Sequence, residues 1–323
     1  MEDQHNHEIK KYAPLDFSKI NTYSIKERQN LSNIHLFAKP SLPSEGINTF
    51  FESLPEILAS ANLRKVIDAI VLARRNKRPV VMSFGAHVIK CGLSPLIIDL
   101  MKRNIITALA MNGASAIHDY EVSLIGATSE DVAESLKDGS FGMTKETPAA
   151  FQIASANGAK DGIGLGRAMG EKILADNNTY TDLSVLAWSA KLNIPATVHA
   201  ALGTDTIYMH PNISGKDMGE SSHTDFRILA SIVSDLEGGV WLNVGSAVIM
   251  PEVFLKVLTV ARNVGNKVEN FVTVNMDMIQ HYRPQTNVLK RPTRAGYAIT
   301  GHHEIMFPLL RMGILSKLGA ENE

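Results

Sequence analysis

The chain has 323 residues, 45% hydrophobic and 20% charged, enough apolar material for one large α/β core or about two domains. Thirty-two basic against 33 acidic residues leave a net charge of −1, which gives no electrostatic footprint for nucleic acid or an anionic membrane. The single cysteine, Cys91, excludes an internal disulfide framework and a cysteine-cluster zinc site.

The opening residues Met1 to His7 are polar, without the apolar stretch of a secretion signal, and no run reaches about 18 apolar residues. A cytoplasmic location is the expectation. Residues 1–45 have little periodic apolar pattern, and Pro40, Pro43, Ser44 and Gly46 punctuate their end as a linker. They read as an N-terminal arm lying on the body or on a neighbouring subunit. From Leu54 to Ala73, Leu58, Leu63, Val66, Ile67, Ile70 and Val71 recur at helical spacing. Residues 78–85 form a short apolar run ending in glycine, the pattern of a buried parallel strand meeting a turn. The alternation continues with a helix over 95–103, a strand over 105–111, a turn at Asn112-Gly113 and a helix over 115–125. Farther on, 183–192, 226–236 and 251–263 read as helices, and 194–199, 239–244 and 271–275 as strands. This order predicts an α/β fold, a doubly wound and mostly parallel sheet in a single large domain, residues 46–323.

In open α/β sheets, ligands bind beyond the carboxyl ends of the strands. Here those ends carry Gly85-Ala86-His87, Asn112-Gly113-Ala114 with His118 and Asp119 beyond, His199 with Asp205, Gly245-Ser246, and Asn275. Glycine lets backbone approach a ligand, and the helix N-terminus that follows offers free N–H groups to a phosphate. Five polar strand ends predict one shared polar site. The Gly162-Ile163-Gly164-Leu165-Gly166 run has the glycines of a nucleotide motif but follows polar loop sequence, so it reads as a plain helix entry at Gly166-Arg167. Eleven histidines, among them His87, His302-His303-Glu304, His118-Asp119 and His199, leave a zinc or iron site in a metal-dependent hydrolase open. No HExxH pair or other diagnostic spacing occurs, so no metal ligand is assigned.

The segments Ser83–Gly92, Asn112–Asp119, Ser184–Pro195, Asp205–His210, Gly245–Ala247 and Phe307–Leu310 together resemble deoxyhypusine synthase, across roughly residues 79–311. The resemblance implies a Rossmann-like NAD-binding fold, a homo-oligomer, most of all a tetramer, and an aminoalkyl transfer from an amine through a lysine imine. It also assigns roles. NAD would meet Gly85, Ala86, His87, Asn112, Gly113, Ala114, Asp119, Gly245, Ser246, Asn275 and His303. Asp205 and Glu252 would hold the amine, and His118 or His302 would move protons. Lys290, seventeen residues before Phe307, stands within one residue of the family's imine-forming lysine. That family's preceding tryptophan is absent, and Gln285 and Thr286 stand where it has acidic residues, so an amine other than spermidine is expected. The expectation is an NAD-dependent aminoalkyl transferase using an amine or polyamine. The alternatives are a metal-dependent hydrolase and a catalytically silent NAD-binding protein.

Overall fold

The computed structural model describes residue 12 and residues 14–319. Six strands form one sheet: β1 Val80–Phe84, β2 Ala108–Asn112, β3 Ala196–His199, β4 Val240–Val244, β5 Val272–Asp277 and β6 Ala295–Thr300. Their spatial order is β3-β2-β1-β4-β5-β6 and every pair is parallel. This is the doubly wound order in which the connections reverse direction between β1 and β4.

The helices run in chain order as α1 Gly46–Ser53, α2 Leu58–Arg75, α3 His87–Lys90, α4 Ser94–Lys102, α5 Gly113–Ile125, α6 Val132–Ser135 and α7 Glu146–Asp161. After them come α8 Leu165–Asp176, α9 Val185–Leu192, α10 Gly215–Ser234, α11 Ile249–Asn263, α12 Tyr282–Pro284 and α13 His303–Gly319. A wider π turn, Gln285–Lys290, continues α12. No helix among the described residues is long and apolar enough to cross a membrane.

Side chains alternate across a strand, so the sheet divides its apolar residues between two cores. Val80, Met82 and Phe84 pack with Leu109 and Met111 against α2, α4, α5 and α13. Val81, Ala108, Ala110 and Trp241 face α10 and α11, where Trp241 stacks on Phe254 at 4.1 Å between ring centres. The strands expected at 78–85, 105–111, 194–199, 239–244 and 271–275 are all present. Strand β6 was not expected, because Ala295–Thr300 is an edge strand in which only Ile299 is buried. Helix α10 begins at Gly215, well before the expected 226, its first turns being disguised by glycine, serine and histidine.

Three buried aspartates join the helices to one another. Asp119, on α5, accepts the Ser184 hydroxyl at 2.6 Å and the N–H groups of Val185 and Leu186 at 2.8 and 3.1 Å, capping α9. Asp225, on α10, accepts the N–H of Gly166 at the start of α8 and of Val198 in β3, both at 2.8 Å. Asp205 accepts the N–H of Ala201 at 3.0 Å and that of Ala114 in the first turn of α5. Each carboxylate sits at the positive end of a helix and satisfies N–H groups that have no partner within it.

The arm makes four short 3₁₀ turns between Phe17 and Glu45 and ties to the body through Glu56 N–H to Leu36 O and Lys39 N–H to Ser53 O. It exposes Phe17, Tyr23, Ile25, Leu31, Ile34 and Phe37, so its described part is less polar in effect than its pattern suggested. Its first eleven residues lie outside the described ones.

Burial pushes the Asp119 carboxyl up to about 6 and that of Asp225 up to about 8, against the opposing pull of their hydrogen bonds. A raised value means that the folded chain holds protons that the unfolded chain has released. The stability these groups contribute is present below the ordinary value of 3.8 and is lost as pH rises through about 6 and about 8. Chemical denaturation should therefore show stability falling across that range. Asp225→Asn, which keeps an acceptor but does not titrate, should flatten the upper part of the fall; an unchanged slope would contradict the assignment.

Candidate functional site

In sheets of this order the crevice that takes a ligand is expected at the reversal point, here beyond β1 and β4, where two glycine turns meet. Gly85 N–H donates to Val244 O at 3.1 Å and Gly245 N–H to Met276 O at 3.0 Å, extending the ladder past the strands. A Cβ on Gly85 would stand 2.2 Å from Gly245 O, so the two turns touch as only glycine permits. Beneath them runs a polar row that shares one register, Ser83, Asn243 and Asn275, each wholly buried. Ser83 donates to Asn243 at 3.2 Å, and Asn243 donates to Asn275 at 2.7 Å and to Ser246 O at 2.9 Å. Asn275 in turn donates to Gln280 at 2.7 Å. Asn275 and Ser246 thus hold the turns in place, and Ser246 Oγ also accepts the N–H of Met250 at 3.2 Å. In the sequence Ser83 is read only as part of the Ser83–Gly92 segment, and Asn243 and Gln280 are given no role. The signal for the row was a polar residue, Ser83, Asn243 or Asn275, at the same position of three apolar strands; Gln280 lies beyond β5 and had none.

His303 packs under Gly245 and is 1% exposed. Its Nε2 donates to Met276 O at 3.2 Å and stands 3.9 Å from Asp277, while its Nδ1 has no partner. His87 lies edge-on to it with ring centres 5.5 Å apart.

The end of β2 is built differently. Asn112 caps α5, accepting the Ser115 N–H at 3.0 Å and hydroxyl at 2.6 Å. A Cβ on Gly113 would stand 2.1 Å from Asp205 Oδ2. The anion cradle expected at Asn112-Gly113-Ala114 therefore exists, and this chain's own Asp205 fills it. Asp119 is 0% exposed with both oxygens engaged at α9, so it acts as a helix cap out of reach of the crevice.

Beside α3 and α5 opens a cavity of about 880 Å³ whose wall includes Lys90, His118, Glu121, Glu130, Glu146 and Asp205. Four carboxylates against one lysine and one histidine give it an acidic lining. His118 Nδ1 meets the Thr128 hydroxyl at 2.6 Å, and that hydroxyl donates to Glu121. Burial pushes the Glu121 carboxyl up, but hydrogen bonds from His118 and Thr128 outweigh it and hold it below the usual range. Burial pushes the Asp205 carboxyl up.

Other expected site residues fall elsewhere. Lys290 lines a separate cavity of about 850 Å³ with Gly238, Gly239, Phe271, Val272 and Ala295, at the amino ends of β4, β5 and β6. The helical stretch 282–290 carries the chain back down the sheet, which puts Lys290 at the end opposite the crevice. Glu252 is engaged by Lys256, by Arg283 at 3.4 Å and by Asn287 at 2.9 Å, pinning α11 to the π turn. His302 is a surface residue whose Nδ1 stands 3.9 Å from Glu304. His199 is buried beside Thr197, and burial pushes its imidazole down to about 3, leaving it neutral. The histidines proposed for a hydrolase are therefore divided among the cavity, the core and the surface. The Gly162–Gly166 run is a helix entry, as expected, with Gly166 N–H donated to Asp225.

No protein-family model matches the sequence, and no curated protein matches it. Among solved structures, a conserved protein assigned to LOR/SDH from Methanococcus maripaludis S2 is 16% identical over 82% of this chain and 71% of its own, with a TM-score of 0.52. AgrE, solved as a ternary complex with ornithine and NAD+, is 13% identical over 82% of this chain, with a TM-score of 0.50. This chain spans about a third of AgrE, 34% of its length. A protein assigned as a deoxyhypusine synthase from Entamoeba histolytica is 15% identical over 86% of this chain and 96% of its own, with a TM-score of 0.49. The first two share the fold.

The geometry separates Lys290 from the crevice by the length of the sheet. Lys290→Gln should leave thermal stability and every crevice ligand's affinity unchanged. Gly113→Val should lower stability, since its side chain must displace Asp205; equal melting temperatures for this variant and the unaltered chain would contradict the packing.

Proposed function

We propose that the protein is an NAD-dependent enzyme acting on a cationic amine at the carboxyl end of the sheet. The observation that carries this reading is an acidic cavity adjoining, along α3, a glycine-turn crevice at the reversal of strand order. The turns at Gly85 and Gly245-Ser246 pack against each other and against His303 at the carboxyl ends of β1 and β4, the place where folds of this order take a dinucleotide, and that position is what supports the cofactor assignment. The α5 end does not fit a phosphate while Asp205 occupies it. AgrE, which shares the fold, is solved with a cationic amino acid and NAD+, in keeping with this pairing.

When bound, the nicotinamide supplies a hydride acceptor for a carbon bearing an amine. The chain's own residues do the rest. Glu121, Glu130, Glu146 and Asp205 neutralise and orient ammonium groups in the cavity. His118, fixed through Thr128 to Glu121, exchanges protons at the cavity wall. Transfer of an aminoalkyl group through a lysine imine is the finer form of this reading, and it requires a lysine in the cavity. Lys90 lines this cavity, whereas Lys290 lines the one at the amino ends of the strands.

Differential scanning with NAD+, NADH and a panel of amines tests the proposal. NAD+ should raise the melting temperature in step with RT ln(1 + [L]/Kd), and diamines should add to it more than their neutral analogues. Glu121→Gln should weaken the amine effect alone. No shift with either cofactor form would reject the reading, and cofactor binding without turnover of any amine would favour a silent NAD-binding protein.

The exposed apolar side chains of the arm have the character of a surface covered by a second copy of the chain, in line with the expected homo-oligomer. Light scattering should give a dimer or tetramer whose order drops when residues 1–45 are removed; a monomeric full chain at micromolar concentration would contradict this.

A further inference from the structure

Of the residues expected to offer metal ligands at the strand ends, His118, His199 and His302 stand apart, but His87 and Glu304 come together, and Cys91 joins them. His87 and Cys91 stand one helical turn apart at α3, which puts them on one face. His87 Nε2 lies 3.1 Å from Cys91 Sγ. Glu304, in the first turn of α13, brings Oε2 to 3.9 Å from the same sulfur. The three ligand atoms all lie within 4.8 Å of one another. Ligands about 2.0–2.3 Å from a tetrahedral zinc ion are about 3.3–3.8 Å from each other, so small side-chain rotations suffice to close on one ion.

We propose that His87, Cys91 and Glu304 form a zinc-type metal site at the mouth of the crevice, with a fourth position open to water. Imidazole, thiolate and carboxylate together suit zinc better than calcium or magnesium, which take oxygen ligands alone. Three protein ligands with an open fourth position is the pattern of a reactive rather than a purely structural ion. A buried acceptor stands beside it: the ring of His303, 5.5 Å from that of His87, engages Nε2 with Met276 O and leaves Nδ1 without a partner. That nitrogen is free to accept a hydrogen bond from a metal-bound water. His87 and Cys91 alone are a weak signal in the sequence, because the third ligand lies 213 residues farther on. The site does not depend on NAD binding.

The test uses the purified full chain, reduced and stripped of metal, titrated with cobalt(II) as the spectroscopic stand-in for zinc. Cys91 is the only cysteine in the chain, so a thiolate-to-cobalt charge-transfer band can come from no other residue. One equivalent of cobalt should bring up that band with the intense visible bands of a tetrahedral ion, and zinc should displace both. Cys91→Ser should abolish the charge-transfer band. His87→Ala and Glu304→Gln should each weaken binding by about a hundredfold or more. Circular dichroism checks that these variants keep the fold. No charge-transfer band in the unaltered chain, or cobalt affinity unmoved by His87→Ala and Glu304→Gln, would overturn the proposal.

Discussion

The architecture depends on buried aspartates held against the positive ends of helices. Asp119 caps α9, Asp205 closes on the first turn of α5, and Asp225 joins the starts of α8 and β3. Each bridges elements far apart in sequence, and each has lost its hydration. The N–H groups it satisfies would otherwise be orphaned in the interior, at a cost of about 1–3 kcal/mol apiece. A helix N-terminus and a buried aspartic side chain that accepts its N–H groups are thus used here as a means of docking elements to one another.

The same device decides where a ligand can go. A helix start that points N–H groups at a strand end is the usual seat of a phosphate in this kind of fold. At α5 and α8 that seat holds a carboxylate of the chain itself. What remains is the reversal point between β1 and β4, where the buried row Ser83, Asn243 and Asn275 ties the two glycine turns into one surface. Next to it, the acidic cavity provides charge of the sign that an amine needs. On the proposed reading the cofactor and substrate regions are neighbours, joined by the short helix that carries His87 and Lys90.

Much of this fold was legible in the sequence, because parallel strands buried on both faces appear as short apolar runs ending in glycine. Strand β6 was not, since Ala-Gly-Tyr-Ala-Ile-Thr at an edge lacks such a run. The crevice glycines were legible too, being tied to strand ends. The position of Lys290 was not legible for a physical reason: spacing along the chain to Phe307 cannot show that a helical stretch has returned the chain to the opposite end of the sheet. Asp119 and Asp225 look like any acidic residue on a helix. Their roles emerge only from contacts 65 and 59 residues away. The acidic cavity draws on α3, α5, α6, α7 and the loops between them and after β3, so no local motif announces it.

The central claim is that the cofactor sits at the carboxyl end of the sheet, on the β1 and β4 turns. Photolabelling with an azido-NAD analogue, followed by mass spectrometric mapping of the modified peptides, tests it most directly. Label competed by NAD+ should fall on the segments around Gly85–Lys90 and Gly245–Val248. Competed label at Lys290–Ala295, at the amino end of the sheet, or no competed label at all, would contradict the account.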